Sequence, residues 1–240
     1  MVPTRIVVSP EIRGREEIQA LPFSRFLADE GEVVARSRSS DTRAVVLAGH
    51  ALHLKRYRYS VRQTIRGMFR NTRFGLSRVA REYAMLVRVA ERLGPGVVPR
   101  AVAYGERRRV GFLRAAFLAT ETVPDAQPVA DDVDAGDLGR FLRRIHDGGF
   151  THGRLYARNL LVTGEGSFRI VDLDRASLTE ETAHPGPAAL DLACLLASLP
   201  GIGAEQLFAA YGRERARYAV IAMMPMARAG LDRRSGPPRV

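Results

Sequence analysis

The sequence predicts an α+β fold with a small strand-rich N-terminal lobe and a helical C-terminal lobe. Apolar and polar residues alternate through much of the first half, as along half-buried strands, whereas helical apolar stripes dominate the second half. A stretch rich in proline and aspartate, from Pro124 to Asp132, separates the two patterns. We therefore expect an N-lobe over residues 1–124 and a C-lobe over residues 125–240, joined by a hinge.

The first clear element is a predicted β-hairpin. Residues 43–47 and 50–56 have the alternation of two strands, and the small turn at residues 48–49 separates them. Because side chains alternate along a strand, the leucines of the second strand point to one face and Lys55 points to the other.

A helix follows, with Ser77 as its N-cap and Gly94 after its last turn. Its apolar stripe, at helical spacing, comprises Val79, Tyr83, Leu86, Ala90 and Leu93. Glu82 falls inside that stripe. A buried carboxylate must pair with a cation or become neutral, so either Lys55 is its partner or the helix is rotated enough for Glu82 to reach solvent.

The end of the first lobe is predicted to hold two more strands, Arg100–Tyr104 and Val110–Thr122, with a turn from Gly105 to Arg109 between them. Before them, residues 60–73 have the pattern of a short basic helix in which Arg62, Arg66 and Arg70 lie beside an apolar face. Such a helix either contacts an acidic membrane or a phosphate-bearing partner, or presents a solvated charged face.

The second lobe is predicted to begin with a helix that ends at Gly148. A loop leads from there into a hairpin whose strands are residues 159–163 and 168–173. The hairpin has Asn159 at its start and Asp172 near its end, so these two side chains can converge.

Lysine is almost absent from this chain. Lys and Arg together number 37, and Lys55 is the only lysine among them. Arginine is a wide planar fork, whereas lysine is a compact point charge that can reach a crowded anion such as a nucleotide phosphate. The retention of Lys55 therefore indicates either a site where arginine would fail or the chance survival of one lysine.

Composition limits the class of protein. The net charge of +11 indicates an anionic partner such as a nucleotide, a phosphorylated glycan, nucleic acid or an acidic membrane. The single cysteine, Cys194, excludes an internal disulfide and favours a reducing compartment. The N-terminus lacks the apolar core of a signal peptide, and no apolar run approaches the roughly 20 residues that span a bilayer. We expect a protein that is soluble or lies on a surface.

Five short segments in fixed order carry a family resemblance. They are the strand at 54–57, the helix start at 81–83, the loop at 152–159, the stretch at 171–175 and the helix at 190–193. Together they resemble the protein-kinase-like fold, and within it the bacterial lipopolysaccharide kinase family of Kdo and heptose kinases. The resemblance runs from about Val45 to Leu199.

The resemblance implies a nucleotide cleft between the lobes, with ATP and magnesium as cofactors. Lys55 would hold the α and β phosphates and be steadied by Glu82. Asn159 and Asp172 would hold magnesium, which prefers hard oxygen ligands. Backbone groups from Glu121 to Val123 would receive the adenine.

One further residue, Asp191, is a charge within an apolar helix. The resemblance implies that it supports the loop at His152, and the alternative is a helix N-cap near Pro187.

Two features depart from the family pattern. Where the pattern HxDxxxxN has an aspartate that accepts the proton of the attacking hydroxyl, this chain has Arg154. Either Asp174 takes over that role, or Arg154 binds a phosphate of the substrate. The stretch Gly31–Thr42, which corresponds to the glycine-rich phosphate loop, contains a single glycine.

By this resemblance the protein transfers the γ-phosphate of ATP to a sugar hydroxyl of a lipopolysaccharide-core-like glycan. The short segment between Arg175 and Ala188 leaves little room to grip a polypeptide, which favours a phosphorylated glycan or lipid-linked sugar as acceptor. That places the protein in the cytoplasm, peripheral to the inner membrane. The alternative, motivated by Arg154, is a pseudokinase that binds nucleotide as a regulatory module. A nucleic-acid-binding protein is less favoured because no nucleic-acid motif accompanies the charge.

Overall fold

A computed structural model describes residues 4–36, 40–58, 77–109 and 112–235. Within these ranges the chain is α+β, as predicted. The predicted basic helix at 60–73, with Arg62, Arg66 and Arg70, lies outside them.

The chain divides into two compact units. The first comprises Met1–Val87 and Pro99–Thr122, and the second comprises Arg88–Val98 and Val123–Val240. The division after residue 122 lies beside the predicted lobe boundary, but residues 88–98 belong to the second unit rather than to the N-lobe. The reason is local bonding, because the Ile170 N–H donates to the Val97 carbonyl at 2.8 Å.

The first unit is built on a six-stranded antiparallel sheet. The strands are β1 (Thr4–Val8), β2 (Glu32–Arg36), β3 (Ser40–Leu47), β4 (His50–Arg58), β5 (Ala101–Arg109) and β6 (Phe112–Glu121). They lie in the order β1-β5-β6-β4-β3-β2. The unit also contains helix α1 (Arg15–Ala20), a 3₁₀ turn (Arg25–Leu27) and the start of helix α2 (Arg78–Leu93).

One face of this sheet packs against α1 and the 3₁₀ turn. The Phe117 ring of β6 stacks on Phe26 with ring centroids 4.0 Å apart, and Ile18 of α1 is fully buried in the same cluster. The leucines of β4, Leu52 and Leu54, are buried in this core, which confirms the predicted leucine face. This core lies on one face of the sheet, and by strand alternation Lys55 points to the other.

The β3–β4 hairpin forms as predicted. Its two turn residues, Ala48 and Gly49, have φ values of 49° and 77°. A two-residue turn with positive φ at both positions matches the twist of paired strands, and glycine adopts this conformation without steric cost.

The β5–β6 hairpin is longer than predicted, and the expected turn from Gly105 to Arg109 is wrong. These residues continue β5, and Gly105 pairs with Phe117. A Cβ at Gly105 would lie 2.3 Å from the Phe117 ring. This glycine is therefore a site of close packing inside a strand rather than a turn residue.

The second unit is mainly helical. Its helices are α3 (Ala135–Asp147), α4 (Pro185–Ser198), α5 (Ala204–Tyr211) and α6 (Glu214–Ser235). Short strands β7 (Gln127–Pro128), β9 (Leu160–Val162) and β10 (Phe168–Ile170) form a sheet in the order β10-β9-β7, and β8 (Phe150–Thr151) pairs with β11 (Ser177–Leu178). No helix in the described part of the chain is long and apolar enough to cross a bilayer.

Helix α3 is the predicted first helix of the second lobe, and its two ends have the capping residues that such a helix needs. The Asp134 side chain accepts a hydrogen bond from the Asp137 N–H at 2.6 Å and caps the first turn, and Gly148 follows the last turn, as predicted.

Candidate active site

Strand β4 and helix α2 bring the only lysine of the chain to Glu82. The Lys55 Nζ lies 2.9 Å from Oε1 and 3.2 Å from Oε2 of the glutamate. The Glu82 side chain is only 3% exposed and that of Lys55 is 17% exposed. The predicted ion pair is present, and the alternative of a helix rotated toward solvent is excluded.

Tyr57 completes this pair from the same strand. Its hydroxyl donates to Glu82 Oε2 at 3.1 Å, and the Lys55 Nζ lies 5.6 Å from the centre of its ring. Burial, together with the charge of Glu82, raises the pKa of Tyr57 far above its usual value, so the hydroxyl remains a donor. The glutamate is thus held from two directions, which fixes the place of the ammonium group.

Sequence reasoning did not single out Tyr57. The signal was available, because Tyr57 lies two residues after Lys55 and side chains two apart share a strand face.

The N-terminus of α2 sets the direction in which Glu82 points. The Ser77 Oγ accepts from the Ala80 N–H at 3.0 Å, which confirms the predicted N-cap. The same hydroxyl also donates to the buried Glu106 of β5. Because Ser77 is bonded both to the helix and to the sheet, the rotation of α2 is fixed relative to β4.

In the second unit, two strand pairings hold the loop 152–159 beside the segment 171–176. At one end, β8 pairs with β11 through Thr151 and Ser177. At the other end, β9 pairs with β10 through Leu160 and Ile170. Both segments are therefore anchored before and after the residues that carry the family resemblance.

Between these anchors the loop and the segment are joined directly. The His152 Nε2 lies 3.0 Å from the Val171 carbonyl, and the Val171 N–H donates to the Asn159 carbonyl at 3.0 Å. Gly153 has φ of 75°, and a Cβ there would lie 3.1 Å from the Arg175 carbonyl. A glycine suits this position because the conformation is left-handed and the two backbones lie close.

Asp191 supports the loop, as the resemblance implied. Its Oδ2 accepts from the His152 N–H at 2.6 Å, and the carboxylate is fully buried. The alternative of a helix N-cap is wrong, because α4 begins at Pro185, with His184 as its N-cap, and Asp191 lies in mid-helix. His146 is also fully buried, with its Nδ1 2.8 Å from the Tyr211 hydroxyl.

The two predicted magnesium ligands flank the β9–β10 hairpin. Asn159 is 4% exposed, and its Nδ2 donates to the Arg154 carbonyl at 3.0 Å, so its Oδ1 is the atom left to accept or to ligate. The predicted strand 159–163 is one residue too long at each end, and the predicted strand 168–173 starts correctly at Phe168 but runs three residues too far. Asn159 ends a 3₁₀ turn (Ala157–Asn159), and a second 3₁₀ turn (Leu173–Arg175) follows Asp172.

Asp172 has an unusual backbone. Its φ and ψ are 63° and 55°, a left-handed conformation that costs a non-glycine residue roughly 1–2 kcal/mol. Residues in such conformations cluster at functional sites because the surrounding structure must enforce them. The bonds of Val171 and the following 3₁₀ turn enforce it here.

Arg154 and Asp174 belong to the same pair of segments. Arg154 is half-buried, and its carbonyl accepts from the Asn159 side chain and from the Tyr156 N–H. Asp174 is half-buried within the second 3₁₀ turn. The second unit thus gathers Arg154, Asn159, Asp172 and Asp174 on two bonded segments.

At the predicted adenine-binding backbone, part of the hydrogen-bonding capacity is already used. The Glu121 N–H donates to the Arg100 carbonyl at 2.9 Å, and the Thr122 N–H donates to the Ala51 carbonyl at 3.0 Å. Glu121 can therefore offer its carbonyl but not its N–H to a ligand. Val123, which follows Thr122, begins a segment of the second unit.

Gly31, the one glycine of the predicted phosphate loop, has a packing role. Its φ is 80°, and a Cβ there would lie 2.2 Å from the Ala44 carbonyl of β3. It allows β2 to start close against β3. Residues 37–39, between these two strands, lie outside the described ranges.

Comparisons with known proteins assign a family. A family model described as the lipopolysaccharide kinase (Kdo/WaaP) family matches residues 24–199. The chain belongs to this family. This Kdo/WaaP member is therefore a kinase of that type. The matched range contains the Lys55–Glu82 pair, the His152 loop and Asp172.

A solved structure, "WaaP in complex with acyl carrier protein", is similar to this Kdo/WaaP chain with a TM-score of 0.60. The two are 19% identical, and the similarity covers 96% of this chain and 97% of that one. At this identity the likeness shows the fold, which is kinase-like. No curated protein matches the chain.

Proposed function

We propose that this Kdo/WaaP kinase transfers the γ-phosphate of ATP to a hydroxyl of a lipopolysaccharide-core-like glycan. The observation that carries the proposal is the Lys55–Glu82 pair. A lysine retained alone among arginines, and held by a buried carboxylate and a tyrosine, has the reach and charge that nucleotide phosphates require.

Lys55 suits phosphate binding because it is fixed and yet not fully enclosed. Glu82, itself bonded to the Tyr57 hydroxyl, holds the Lys55 Nζ, while 17% of the lysine side chain remains exposed. On the proposed function the ammonium group binds oxygens of the α and β phosphates, and Glu82 prevents it from turning away.

The residues of the second unit fit a magnesium site. The Oδ1 of Asn159 and the carboxylate of Asp172 are hard oxygen donors at the two ends of one hairpin. Magnesium binds through one or two carboxylates together with substrate phosphates and water, so two protein ligands suffice. When bound, the ion neutralises charge on the phosphates.

In the proposed reaction the acceptor hydroxyl oxygen attacks the γ-phosphorus. The bond between that phosphorus and the β–γ bridging oxygen breaks, ADP leaves, and the hydroxyl proton must move to a base. Arg154 cannot accept it, because a guanidinium stays protonated. In this proposal the Asp174 carboxylate accepts the proton, and the Arg154 guanidinium binds a phosphate that the acceptor already carries.

Such an acceptor is lipid-linked and lies at a membrane. We therefore propose that the protein works in the cytoplasm at the inner membrane, with a phosphorylated glycan as its substrate.

A second candidate function is a pseudokinase that binds nucleotide without transfer. Arg154 motivates it, but the family match does not favour it. Magnesium-dependent ATP binding with no transfer to any acceptor, and transfer gained in Arg154→Asp, would support this reading.

The direct test is transfer of radiolabelled γ-phosphate to purified core glycans. The matched control is Lys55→Met with Glu82→Gln, which removes both charges and so avoids an unpaired buried carboxylate. We expect transfer by the native protein and background counts with the double variant. Equal transfer by both proteins would refute the proposal.

A further inference from the structure

The net charge of the chain is divided unequally between its two units. The first unit contains 21 Lys and Arg residues and 10 Asp and Glu residues, whereas the second contains 16 of each. The whole formal charge of +11 therefore belongs to the first unit, and the second is neutral.

Within the first unit, arginines gather at one end of the six-stranded sheet. The strand register brings together the tip of the β5–β6 hairpin, the start of β1 and the end of β2. Thr4 of β1 pairs with Arg107 near the end of β5, and at the other edge of the sheet Arg36 of β2 pairs with Asp41 near the start of β3. Strands β6 and β4 join these two edges in the order β1-β5-β6-β4-β3-β2. We call this the arginine end, and its members whose side chains the structure describes are Arg5, Arg36, Arg107, Arg108, Arg109 and Arg114. Six strands at a spacing of about 4.8 Å give it a width of about 24 Å.

The acidic residues near the arginine end are already committed to internal partners. Glu106 is 7% exposed and is bonded to Ser77 and to Arg108, the latter at 2.8 Å. Asp41 is bonded to the side chains of Arg43 and Arg56. These carboxylates therefore do not cancel the charge of the exposed arginines.

The other arginines of this end are directed outward or lie over its rim. Arg5, Arg36 and Arg109 are exposed. The Arg107 guanidinium lies 4.7 Å from the centre of the Phe23 ring and covers the edge of the core. The opposite end of the sheet differs, because there Arg100 pairs with Glu121 at 3.5 Å.

We propose that the arginine end is the surface by which this protein binds an anionic lipid bilayer. A single phosphate ligand needs donors that converge on one point, whereas these charges are spread across about 24 Å. Such a row matches an extended anionic surface. Nucleic acid is also extended, but no nucleic-acid motif accompanies these arginines, and lipopolysaccharide, after which the family is named, is a membrane lipid.

The strength of the contact follows from the number of charges. Each arginine near an anionic membrane surface contributes roughly a fivefold gain in affinity, and salt screens the attraction. Three exposed arginines together account for a gain of about 100-fold. The proposal concerns binding alone and does not depend on the reaction proposed above.

The test is flotation of the protein with vesicles of phosphatidylcholine containing about 40% phosphatidylglycerol, compared with pure phosphatidylcholine, in about 0.1 M salt. The variant replaces Arg5, Arg36 and Arg109 by glutamine. The matched control replaces Arg140, Arg217 and Arg228, three exposed arginines of the second unit, and removes the same charge. A third variant with lysine at positions 5, 36 and 109 keeps the charge and shows that the sites tolerate substitution.

We expect the native protein to bind only the anionic vesicles. The arginine-end variant should lose about 100-fold in affinity, the second-unit control less than about fivefold, and the lysine variant little. Equal losses in the two glutamine variants would overturn the proposal, as would a native protein that does not float. Tighter binding of duplex DNA than of vesicles, lost in the same arginine-end variant, would assign the surface to nucleic acid instead.

Discussion

The two units hold their functional residues by different means. In the first unit Lys55 is positioned by side chains, namely the carboxylate of Glu82 and the hydroxyl of Tyr57. In the second unit two of the bonds that position the His152 loop engage its backbone: the Asn159 carbonyl accepts from the Val171 N–H, and the His152 N–H donates to the Asp191 carboxylate. The His152 imidazole adds a contact to the Val171 carbonyl. The first site is lost when either side chain of the pair changes, whereas the loop keeps its backbone bonds when Arg154, one of its own residues, changes its side chain.

This difference explains how Arg154 is accommodated. Its carbonyl accepts the hydrogen bonds from Asn159 and Tyr156. These two bonds do not depend on which side chain stands at this position, so an arginine in place of the aspartate of the family pattern keeps them and changes the group that the loop presents. The second unit can change its chemistry without changing its fold.

The largest effect is expected from Asp172→Asn. Asparagine also adopts the left-handed backbone at this position but lacks the charge that, on the proposed function, would hold magnesium. On the proposed function, γ-phosphate transfer should fall by about 10²–10³-fold, as when one strong transition-state contact is removed. The melting temperature should change little, because Asp172 is half-exposed. An unchanged rate over a magnesium titration would contradict the assignment.

Asp191→Ala tests whether the loop depends on this carboxylate. Its Oδ2 is the acceptor for the His152 N–H in a fully buried position. Loss of the acceptor leaves a buried donor unsatisfied, which costs about 1–3 kcal/mol in the free energy of unfolding. Urea denaturation measures this. Asp191→Asn is the matched control, because its amide oxygen can still accept, and it should lose less.

Arg154→Ala should have a smaller and more selective effect. If the guanidinium holds a phosphate of the acceptor, KM for a phosphorylated glycan should rise about tenfold, the value of one charge-assisted contact. Because the Arg154 carbonyl makes the hydrogen bonds to Asn159 and Tyr156 and is kept in the variant, kcat and stability should stay near the native values. Steady-state kinetics with the same glycan before and after phosphatase treatment separates this role from a structural one. An equal rise in KM for both forms of the glycan would exclude it.

The smallest effect concerns Asp41 in the first unit. Burial raises the pKa of this carboxyl, but hydrogen bonds and charge from Arg56 and Arg43 outweigh it and hold the pKa below the ordinary value of 3.8. A lowered folded pKa means that Asp41 stabilises the protein above pH 3.8 and loses this contribution as pH falls through the folded pKa.

Asp41→Asn should therefore be less stable than the native protein at pH 7, and the difference should shrink in acid below pH 3.8. Urea denaturation at pH 7, 5 and 3 measures it. A difference that stays constant across this range would show that the charge of Asp41 has no part in the effect.

In both units, the features that could be predicted from the sequence are those that follow local rules. The hairpin at Ala48 and Gly49 and the partner of Glu82 follow from alternation and helical spacing, which are local rules, and both are confirmed. The turn at Gly105 was wrong because the need for glycine there comes from the Phe117 ring, on a different strand.

The second unit shows the same limit. The order of the loop, hairpin and helix segments was predictable, but the left-handed backbone of Asp172 and the contact between Gly153 and Arg175 depend on two segments meeting. Sequence spacing does not specify such backbone contacts.

The most direct test of the account is the affinity of Lys55→Met with Glu82→Gln for ATP, ADP and adenosine, each measured by calorimetry with magnesium. If Lys55 holds the α and β phosphates, the double variant should bind ATP and ADP at least tenfold more weakly than the native protein. A tenfold change in affinity corresponds to about 1.4 kcal/mol of binding free energy. Adenosine, which has no phosphate, should bind both proteins equally well. Equal affinity of both proteins for all three ligands would contradict the claim that the single lysine of this chain is a phosphate-binding residue.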